Sequence, residues 1–458
     1  METLDTKDIQ GLLLRAYKDL PSSCFFLCQA TDSASYKQFF KFILPSVTNS
    51  EKNPKEEAVN MAFTSKGIAL LDVQMKKDFS SEFLEGMKSE VRQRILGDYN
   101  RNDPKHWHWG SVQKPVIHFV LMLYAANRDS LETKRKGISE KLHECKITEV
   151  KVLESEELVG DKEHFGFHDG VSQPVMKRLK HKKKGSEFNV VADGEFIFGY
   201  HNEYDKLPVS PESMNFVLGK NGSYMVFRQI KQDVKGFWEY MSSKSNGNIT
   251  GAIHLASKMM GRFPDGTPLV LSPEGPNPEL SNASDFGYYK HDKFGEKCPI
   301  GSHIRKANPR DGMNDNIEES TRVANRHRIL RRGRPYGEPV APSLEPEDIL
   351  KAPPTEKEAG LLFICFNTNI SRQFEFVQQQ WMNNQKFDHL YNDPDPIIGI
   401  DEKPPAHGKN KSDQLGDFTL QRCPVREKYS DVPQFTFLKG GAYFFFPGIS
   451  AIQYLSEL

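Results

Sequence analysis

The chain has 458 residues, which is long enough for two or three domain-sized hydrophobic cores. Hydrophobic residues make up 37% of it and charged residues 27%, an ordinary globular composition that excludes a disordered or fibrous protein. The 61 Lys and Arg residues balance the 61 Asp and Glu residues, so the whole chain carries no net charge that would attract nucleic acid or an anionic membrane.

The N-terminus, the apolar runs and the cysteines indicate the compartment. The segment Met1-Glu-Thr-Leu-Asp-Thr-Lys-Asp8 is polar and acidic and lacks the apolar core of a secretory signal. Apolar runs such as residues 360–366 are far shorter than the ~20 residues of a membrane helix. The six cysteines form neither a disulfide framework nor a CxxC pair. We therefore expect a cytoplasmic protein with reduced thiols, and neither a membrane nor a nucleic acid as partner.

The predicted elements alternate between helix and strand. The sequence favours a helix over residues 8–17, then a short strand over 24–28 and a buried strand over 116–125, which is rich in branched and aromatic residues. Two further strands are predicted at 223–229 and 360–366. Residues 371–384 have apolar side chains at 374, 377 and 381, a helical spacing. Because the strict βαβ rhythm is absent, we expect an α+β fold with antiparallel sheets.

Two connections interrupt this pattern. Residues 176–185 form a basic run for which a solvated loop is favoured over nuclear localisation or phosphate binding. Residues 277–312 are rich in Gly, Pro, Asn and Ser, and long connections of this kind are functional or disordered. We place a domain boundary near residue 165, which divides the chain into domains of residues 1–165 and 166–458.

The first segment with reactive groups is Gly166-Phe-His-Asp-Gly170. Two glycines around an acid indicate a turn that approaches a bulky group closely, with Asp169 projecting from it. His164 and His168 have the spacing of a zinc pair, but the HExxH helix requires Glu where this chain has Phe165. A turn whose Asp caps backbone donors is the structural alternative.

The second segment is Cys298-Pro-Ile-Gly-Ser-His303, followed by Arg305 and Arg310. His303 lies in a loop-rich setting, where a lone histidine is either an ordinary residue or a metal ligand. Cys298 would be an alternative ligand, because both histidine and cysteine thiolate ligate iron in proteins. Spacing alone leaves both open.

The third segment, residues 322–334, holds six arginines. Arginine presents a planar, permanently charged fork that binds carboxylates or phosphates, so the run would suit an anionic group, RNA or solvent. Strand alternation through Arg328-Ile-Leu-Arg-Arg332 places Arg331 on the same face as Ile329. At least this arginine is therefore expected to point inward.

Taken in order, these three segments resemble the dye-decolourising peroxidases, and the length is closest to the longer, non-secreted members. Gly166–Gly170 matches the GxxDG signature of that family, residues 298–310 are similar to its proximal haem-histidine segment, and residues 329–337 to its distal arginine segment. The resemblance covers nearly the whole chain; further similar stretches are residues 8–11, 107–110, 194–200, 260–268, 372–376, 395–399 and 445–448.

The resemblance implies two ferredoxin-like domains, each an antiparallel sheet with peripheral helices, and one haem b per chain bound in the C-terminal half. His303 would be the axial ligand to the haem iron, and Asp395 would accept a hydrogen bond from its other ring nitrogen. A turn residue between two prolines is the alternative for Asp395. Asp169 would shuttle a proton between the oxygens of hydrogen peroxide, and Arg331 would stabilise the developing negative charge.

Other residues would complete the site. Leu361 and Phe363 would line a dry wall, and Arg305 and Arg310 would pair with the haem propionates, although surface arginines would explain both equally. Because Asp has a reference pKa of ~3.9 and His one of ~6.5, an acidic pH optimum is expected unless burial raises the pKa.

A pocket sized for peroxide would exclude bulky organic donors from the haem edge. Tyr336 and Trp381 are the candidates for carrying the electron to the surface, and packing is the alternative role for each.

Three other functions stay open. The first is a haem-binding, haem-delivery or iron-removing protein without fast peroxidase turnover. The second is an RNA-binding protein built on residues 322–334, although the neutral charge balance counts against it. The third is a metal-dependent hydrolase that uses His164, His168 and Asp169.

Overall fold

The computed structural model describes residues 3–182, 189–400 and 414–458. The predicted basic loop at 176–185 therefore lies partly outside the described residues. No helix in the described part of the chain is both long and apolar enough to cross a membrane. The strands are β1 (Ser22–Ala30), β2 (Glu57–Phe63), β3 (Met75–Lys77), β4 (Phe119–Ala125), β5 (Ile147–Glu156), β6 (Val175–Met176), β7 (Val190–Val191), β8 (Glu212–Ser213), β9 (Ser223–Gln232), β10 (Leu330–Arg331), β11 (Arg334–Tyr336), β12 (Gly360–Asn367), β13 (Gln414–Leu420), β14 (Glu427–Pro433) and β15 (Thr436–Phe446).

The helices are mostly short and lie between the strands. They are α1 (Gly11–Leu14), α2 (Ser33–Ile43), α3 (Ser65–Leu70), α4 (Ser81–Glu85), α5 (Glu90–Leu96), α6 (Arg128–Glu144), α7 (Val234–Lys244), α8 (Ile249–Met260), α9 (Tyr288–Asp292), α10 (His303–Ala307), α11 (Ile317–Arg326), α12 (Pro346–Lys351) and α13 (Ile449–Glu457). A π-helix occupies residues 371–382.

Nine strands form one antiparallel sheet in the order β10–β12–β9–β15–β2–β4–β1–β5, with β11 beside β10 on β12. In the N-terminal half, the helices α2 and α6 connect β1 to β2 and β4 to β5, a βαββαβ arrangement. In the C-terminal half, β9, β10 with β11, β12 and β15 take the same relative positions. Both halves therefore have ferredoxin-like topology, which confirms the predicted fold class. The predicted boundary near residue 165 falls in the connection between β5 and β9.

Strand alternation determines which side chains face the site. On β12, Leu362 and Ile364 belong to a core cluster on one face of the sheet. Leu361 and Phe363 lie on the opposite face and line a cavity. On the neighbouring β9, Arg228 is paired with Phe363. The cavity wall is thus one face of the C-terminal part of the sheet.

The two halves meet along β15 and β2, whose register contains the single pair Phe445 and Phe63. The buried side chain of Gln10 reinforces this junction. Its Nε2 donates to the carbonyl oxygens of Met61 at 3.0 Å and Pro447 at 2.9 Å, and its Oε1 accepts from the amide of Met61 at 3.0 Å. One side chain therefore connects backbone groups from both halves.

Gln10→Ala is expected to lower the free energy of unfolding by about 1–3 kcal/mol, because it leaves buried backbone groups without partners. The shift of the denaturant midpoint measures this. Gln113→Ala, on the exposed surface, is the matched control and should leave the midpoint unchanged. Equal midpoints for the two variants would contradict the role assigned to Gln10.

Candidate active site

A cavity on the C-terminal part of the sheet brings together residues that are far apart in sequence. Its lining includes Asp169, His303, Arg331, Leu361 and Phe363, and also Arg310. The three segments singled out in the sequence therefore converge on one space.

His303 is the first residue of α10, and one nitrogen of its ring contacts the carboxylate of Asp395. Its Nδ1 lies 3.1 Å from both carboxylate oxygens of Asp395. Asp395 is fully buried, and its Oδ1 also accepts from the amides of Ile397 at 2.9 Å and Ile398 at 2.7 Å. Nδ1 is thus occupied, and the geometry leaves Nε2 as the nitrogen available to a ligand.

The ionisation of Asp395 follows from these contacts. Burial by itself raises the pKa of Asp395, but the charge and hydrogen bond of His303 and the amide of Ile398 outweigh it and lower the pKa below its ordinary value. The carboxylate is thus held as an acceptor for the imidazole N–H. This geometry favours the predicted pairing over a simple turn residue.

Asp169 projects from a small hairpin. The amide of Asp169 donates to the carbonyl of Asp161 at 2.9 Å, and that of Glu163 donates to Phe167 at 2.9 Å. Gly166 has φ +91°, and a Cβ there would lie 2.6 Å from the carbonyl oxygen of Leu344. Glycine is therefore required at position 166 because the turn lies against the backbone of Leu344, and not because it lies against a bulky ligand. The Asp169 side chain remains 40% exposed in the cavity.

Arg331 contacts Asp169 inside the cavity. Its Nη1 lies 3.3 Å from Asp169 Oδ1, and its amide donates to Gln173 Oε1 at 3.1 Å. The next residue, Arg332, points to the other side of the sheet and donates to the carbonyls of Leu12 and Leu13. The predicted inward orientation of Arg331, together with Ile329, is confirmed.

Buried arginines lie along another part of the cavity. Arg310 lines it as predicted, and sequence reasoning missed the roles of Arg262 and Arg328 there. Burial, together with the charge of neighbouring arginines, lowers the pKa of Arg262 to about 10 and that of Arg328 to about 9. Arg262 and Arg310 donate to backbone carbonyls, and no carboxylate in the described part of the chain forms an ion pair with either.

Unpartnered polar atoms accompany these arginines. Arg262 Nη2, the Tyr288 hydroxyl and Asn308 Oδ1 are buried without a hydrogen-bond partner, and all three residues line the cavity. Buried polar groups are normally satisfied. The unpartnered donors of Arg262 and Tyr288 therefore suit a ligand that carries carboxylates, whereas the amide oxygen of Asn308 can only accept a hydrogen bond.

The structure corrects the expectation for Arg305. Its side chain is 2% exposed and pairs with Asp292 at 3.2 Å. It also donates to the carbonyls of Cys298 at 2.9 Å and Lys293 at 3.1 Å. Its guanidinium holds the preceding loop together, and it does not line the cavity.

The structure also argues against Cys298 as the alternative ligand. Cys298 is fully buried, with Sγ 4.0 Å from the carbonyl oxygen of Gly261, and it is not part of the cavity lining. Burial raises the pKa of Cys298 to about 11, which disfavours a thiolate. Of the two candidate ligands, only His303 faces the cavity.

Tyr336 and Trp381 are not surface residues. Tyr336 is 8% exposed, and its hydroxyl donates to Glu358 at 2.9 Å. Trp381 is 2% exposed and packs edge-on against His327 and Phe376. Both rings pack inside the protein, and their role in carrying an electron to the surface stays a prediction.

The helix that carries Trp381 is wound as a π-helix. The predicted spacing assumed an α-helix, but the amides of Glu375 and Asn383 donate five residues back, to Ile370 and Gln378. This wider turn places Phe374, Val377, Gln378 and Met382 on the cavity wall.

An ion pair between the two halves also lines the cavity and was missed. Asp98, which follows α5, forms a salt bridge with Arg228 on β9, and both side chains are buried. Burial raises the pKa of Asp98 to about 6, although the charge of Arg228 opposes this. Arg228 could have been noticed in the sequence, because a charged residue on the buried face of a predicted strand is unusual. The sequence around Asp98 contains no comparable signal.

Two of the rival functions lose their structural basis. His164 is buried, lies 2.8 Å from the Tyr336 carbonyl through Nε2, and does not line the cavity. The described ranges contain no group of three or more His, Cys, Asp or Glu side chains that could hold a metal ion. Within the arginine run, Arg332 and Arg334 donate to interior carbonyls, so the run is not the exposed basic surface that RNA binding requires.

This arrangement, a carboxylate-bound histidine and an acid with an arginine around one cavity, defines a haem-protein type of site. Two family models match the chain: the DyP dimeric alpha+beta barrel domain over residues 8–157 and the Dyp-type peroxidase, C-terminal, over residues 215–393. The chain belongs to the dye-decolourising peroxidase family, whose members depend on haem.

Relatives are similar over most of the chain. Multifunctional dye peroxidase DyP2 from an Amycolatopsis species is 31% identical over 416 residues, covering 87% of this chain and 82% of that protein. Peroxidase 2 from Mycetinis scorodonius is 28% identical over 480 residues, covering 98% and 87%. A dye-decolorizing peroxidase solved in complex with 2,6-dimethoxyphenol is 27% identical, with a TM-score of 0.79, and covers 99% of this chain and 100% of that one.

His303→Ala is expected to abolish most haem binding, because it removes the cavity histidine whose Nδ1 is held by Asp395 and whose Nε2 is the proposed ligand. Cys298→Ala is the matched control, since its thiol lies outside the cavity, and it should retain the haem. Titration with haem, followed by the Soret absorption, measures both. Loss of the haem spectrum in Cys298→Ala alone would contradict the assignment.

Proposed function

We propose that this chain is a haem peroxidase that reduces hydrogen peroxide to water with electrons from organic donors such as dyes and phenols. The observation that carries the proposal is that the His303–Asp395 pair and the Asp169–Arg331 pair open into one cavity. Family membership supports it, as do the dye peroxidase named above and the related structure with a bound phenol.

We further propose one haem b per chain. His303 Nε2 would ligate its iron, Leu361 and Phe363 would form the apolar wall, and Arg310 with Arg262 would hold its propionates. The haem supplies the iron centre at which peroxide is reduced and which oxidises donors one electron at a time. The buried positive charge and the unpartnered atoms near Arg262 support this placement.

On the histidine side, Asp395 orients the imidazole and accepts its Nδ1 proton. A carboxylate in this position makes the other nitrogen a stronger donor. The amides of Ile397 and Ile398 hold the carboxylate in turn. The ring therefore has one orientation toward the cavity.

On the opposite side, Asp169 takes a proton from one peroxide oxygen and returns it to the other, so that water leaves. In the described structure, the hydrogen bonds that its carboxylate accepts, from Arg331 and from the Gly170 amide, fall on Oδ1. Oδ2 is thus the oxygen proposed for proton transfer. Arg331 donates to the negative charge that develops as the O–O bond breaks. In total, one peroxide takes two electrons and two protons to give two waters.

We propose a cytoplasmic location for the protein. All six cysteines are free, and five of them are buried. Free thiols are typical of a reducing compartment, which supports the expectation from the sequence. A haem-delivery or iron-removing protein is the remaining alternative function, and rapid donor oxidation by the haem-loaded protein distinguishes the two.

Asp169→Asn is expected to slow the reaction with hydrogen peroxide by about 10²–10⁴-fold while retaining haem, because the proton acceptor is lost. Stopped-flow absorption measures the rate. The matched control is Asp161→Asn in the same hairpin, whose side chain is outside the cavity lining. Equal rates for the two variants would defeat the assignment.

Arg331→Leu is expected to slow the same reaction by about 10²–10³-fold with haem retained, because it removes a charge-stabilising donor. Arg322→Leu, on the exposed part of α11, is its control and should react at the wild-type rate. A near-normal rate for Arg331→Leu would exclude a role in peroxide cleavage.

Arg310→Met is expected to weaken haem affinity by about 10–100-fold, the range for a lost charged hydrogen bond. The same variant should bind haem dimethyl ester, whose carboxylates are blocked, as well as the wild type does. Arg322→Met is the exposed control. If Arg310→Met weakened both haem forms equally, Arg310 would have a packing role instead.

A further inference from the structure

A second carboxylate in the hairpin of Asp169 has no role in the reaction described above. Glu163 lines the cavity. Its Oε1 accepts from the amide of Phe167 at 3.1 Å, and its Oε2 accepts from the amide of Phe165 at 3.0 Å. Gln232 Nε2, at the end of β9, donates to Oε2 at 2.6 Å. Three N–H donors thus converge on one carboxylate.

These contacts close the turn of the hairpin from inside. The amide of Gly166 donates to the Glu163 carbonyl at 2.8 Å, and that of His168 donates to the carbonyl of Pro264 at 3.0 Å. The bond from Gln232 then fastens the turn to the sheet. The hairpin is therefore a preformed loop whose shape depends on the Glu163 carboxylate.

Asp169 depends on this loop for its position. Its side chain is 40% exposed and is held only by Arg331 and the Gly170 amide in the described structure. Its backbone amide is bonded to Asp161 at the base of the hairpin. A shift of the turn would consequently move the carboxylate relative to Arg331.

The three N–H donors require hydrogen-bond acceptors at position 163, but burying a carboxylate there is electrostatically unfavourable. Burial raises the pKa of Glu163 to about 7, and the negative charge of Asp169 adds to the effect. A glutamine would direct its NH2 group at one of the converging donors. Three N–H donors therefore favour an acceptor at both oxygens of Glu163, although burial and the nearby Asp169 make a carboxylate there costly.

We propose that Glu163 is a positioning residue, which holds the hairpin so that Asp169 and Arg331 share one geometry in the cavity. The inference rests on the role proposed for Asp169. It assigns Glu163 no contact with peroxide: its effect passes through the amides of Phe165 and Phe167.

Glu163→Gln in the haem-loaded protein is the test. It should slow the reaction with hydrogen peroxide by about 10–100-fold, the cost typical of small misplacements of a reacting group. Cyanide binding to the ferric haem should slow likewise, because hydrogen cyanide must also give up a proton. Carbon monoxide binding to the ferrous haem needs no proton transfer and should be unchanged. Glu163→Asp should restore part of the loss.

A double-mutant cycle separates positioning from general damage. In an Asp169→Asn background, Glu163→Gln should change the peroxide rate less than about threefold. Equal slowing in both backgrounds, or slower carbon monoxide binding, would overturn the inference. If Glu163→Gln does not load haem, Gln232→Leu, which removes the donor from β9, replaces it with the same expected pattern. Should Asp169→Asn itself be without effect, the proposed function fails; normal rates in Glu163→Gln alone reject only the positioning role.

Discussion

The hydrogen bond between His303 and the buried Asp395 is the interaction on which the site depends. It connects α10 to the segment that follows the π-helix, two elements that share no strand pairing. Asp395 has no exposed surface, so its charge is stabilised by the imidazole, by backbone amides and by the charge of Lys306. A buried carboxylate is tolerable only with such partners. The ring is thereby fixed in orientation before any ligand binds.

The opposite wall depends on strand alternation. Arg331 faces the cavity, whereas Arg332 and Arg334 reach carbonyl oxygens near the N-terminus. The same short segment thus supplies a reactive group on one face and anchors on the other. This division accounts for three of the six arginines in the run, which face the cavity or the interior rather than a basic surface.

Sequence reasoning identified what local pattern encodes. Strand parity predicted the inward direction of Arg331, and the resemblance located Asp169, His303, Leu361 and Phe363. Contacts that depend on tertiary packing could not be predicted in this way. Arg305 and Arg310 lie in the same segment, yet Asp292 and three carbonyl oxygens hold Arg305 away from the cavity. The π winding of residues 371–382 depends on backbone bonding that apolar spacing does not encode, so the spacing of residues 374, 377 and 381 predicted a helix without its wider turn. Glu163 was overlooked because its partners are mainly amides, which leave no trace in side-chain chemistry.

The salt bridge between Asp98 and Arg228 bears on modularity. Each half has the topology of an independent ferredoxin-like unit, and a gene fragment encoding only the second half would look complete. Such a fragment would nevertheless bury Arg228 without its counter-ion, and losing one partner of a buried pair costs about 3–5 kcal/mol. The C-terminal half therefore depends on a carboxylate that the N-terminal half supplies. Replacing one half by the corresponding half of another protein would therefore have to preserve this salt bridge between Asp98 and Arg228.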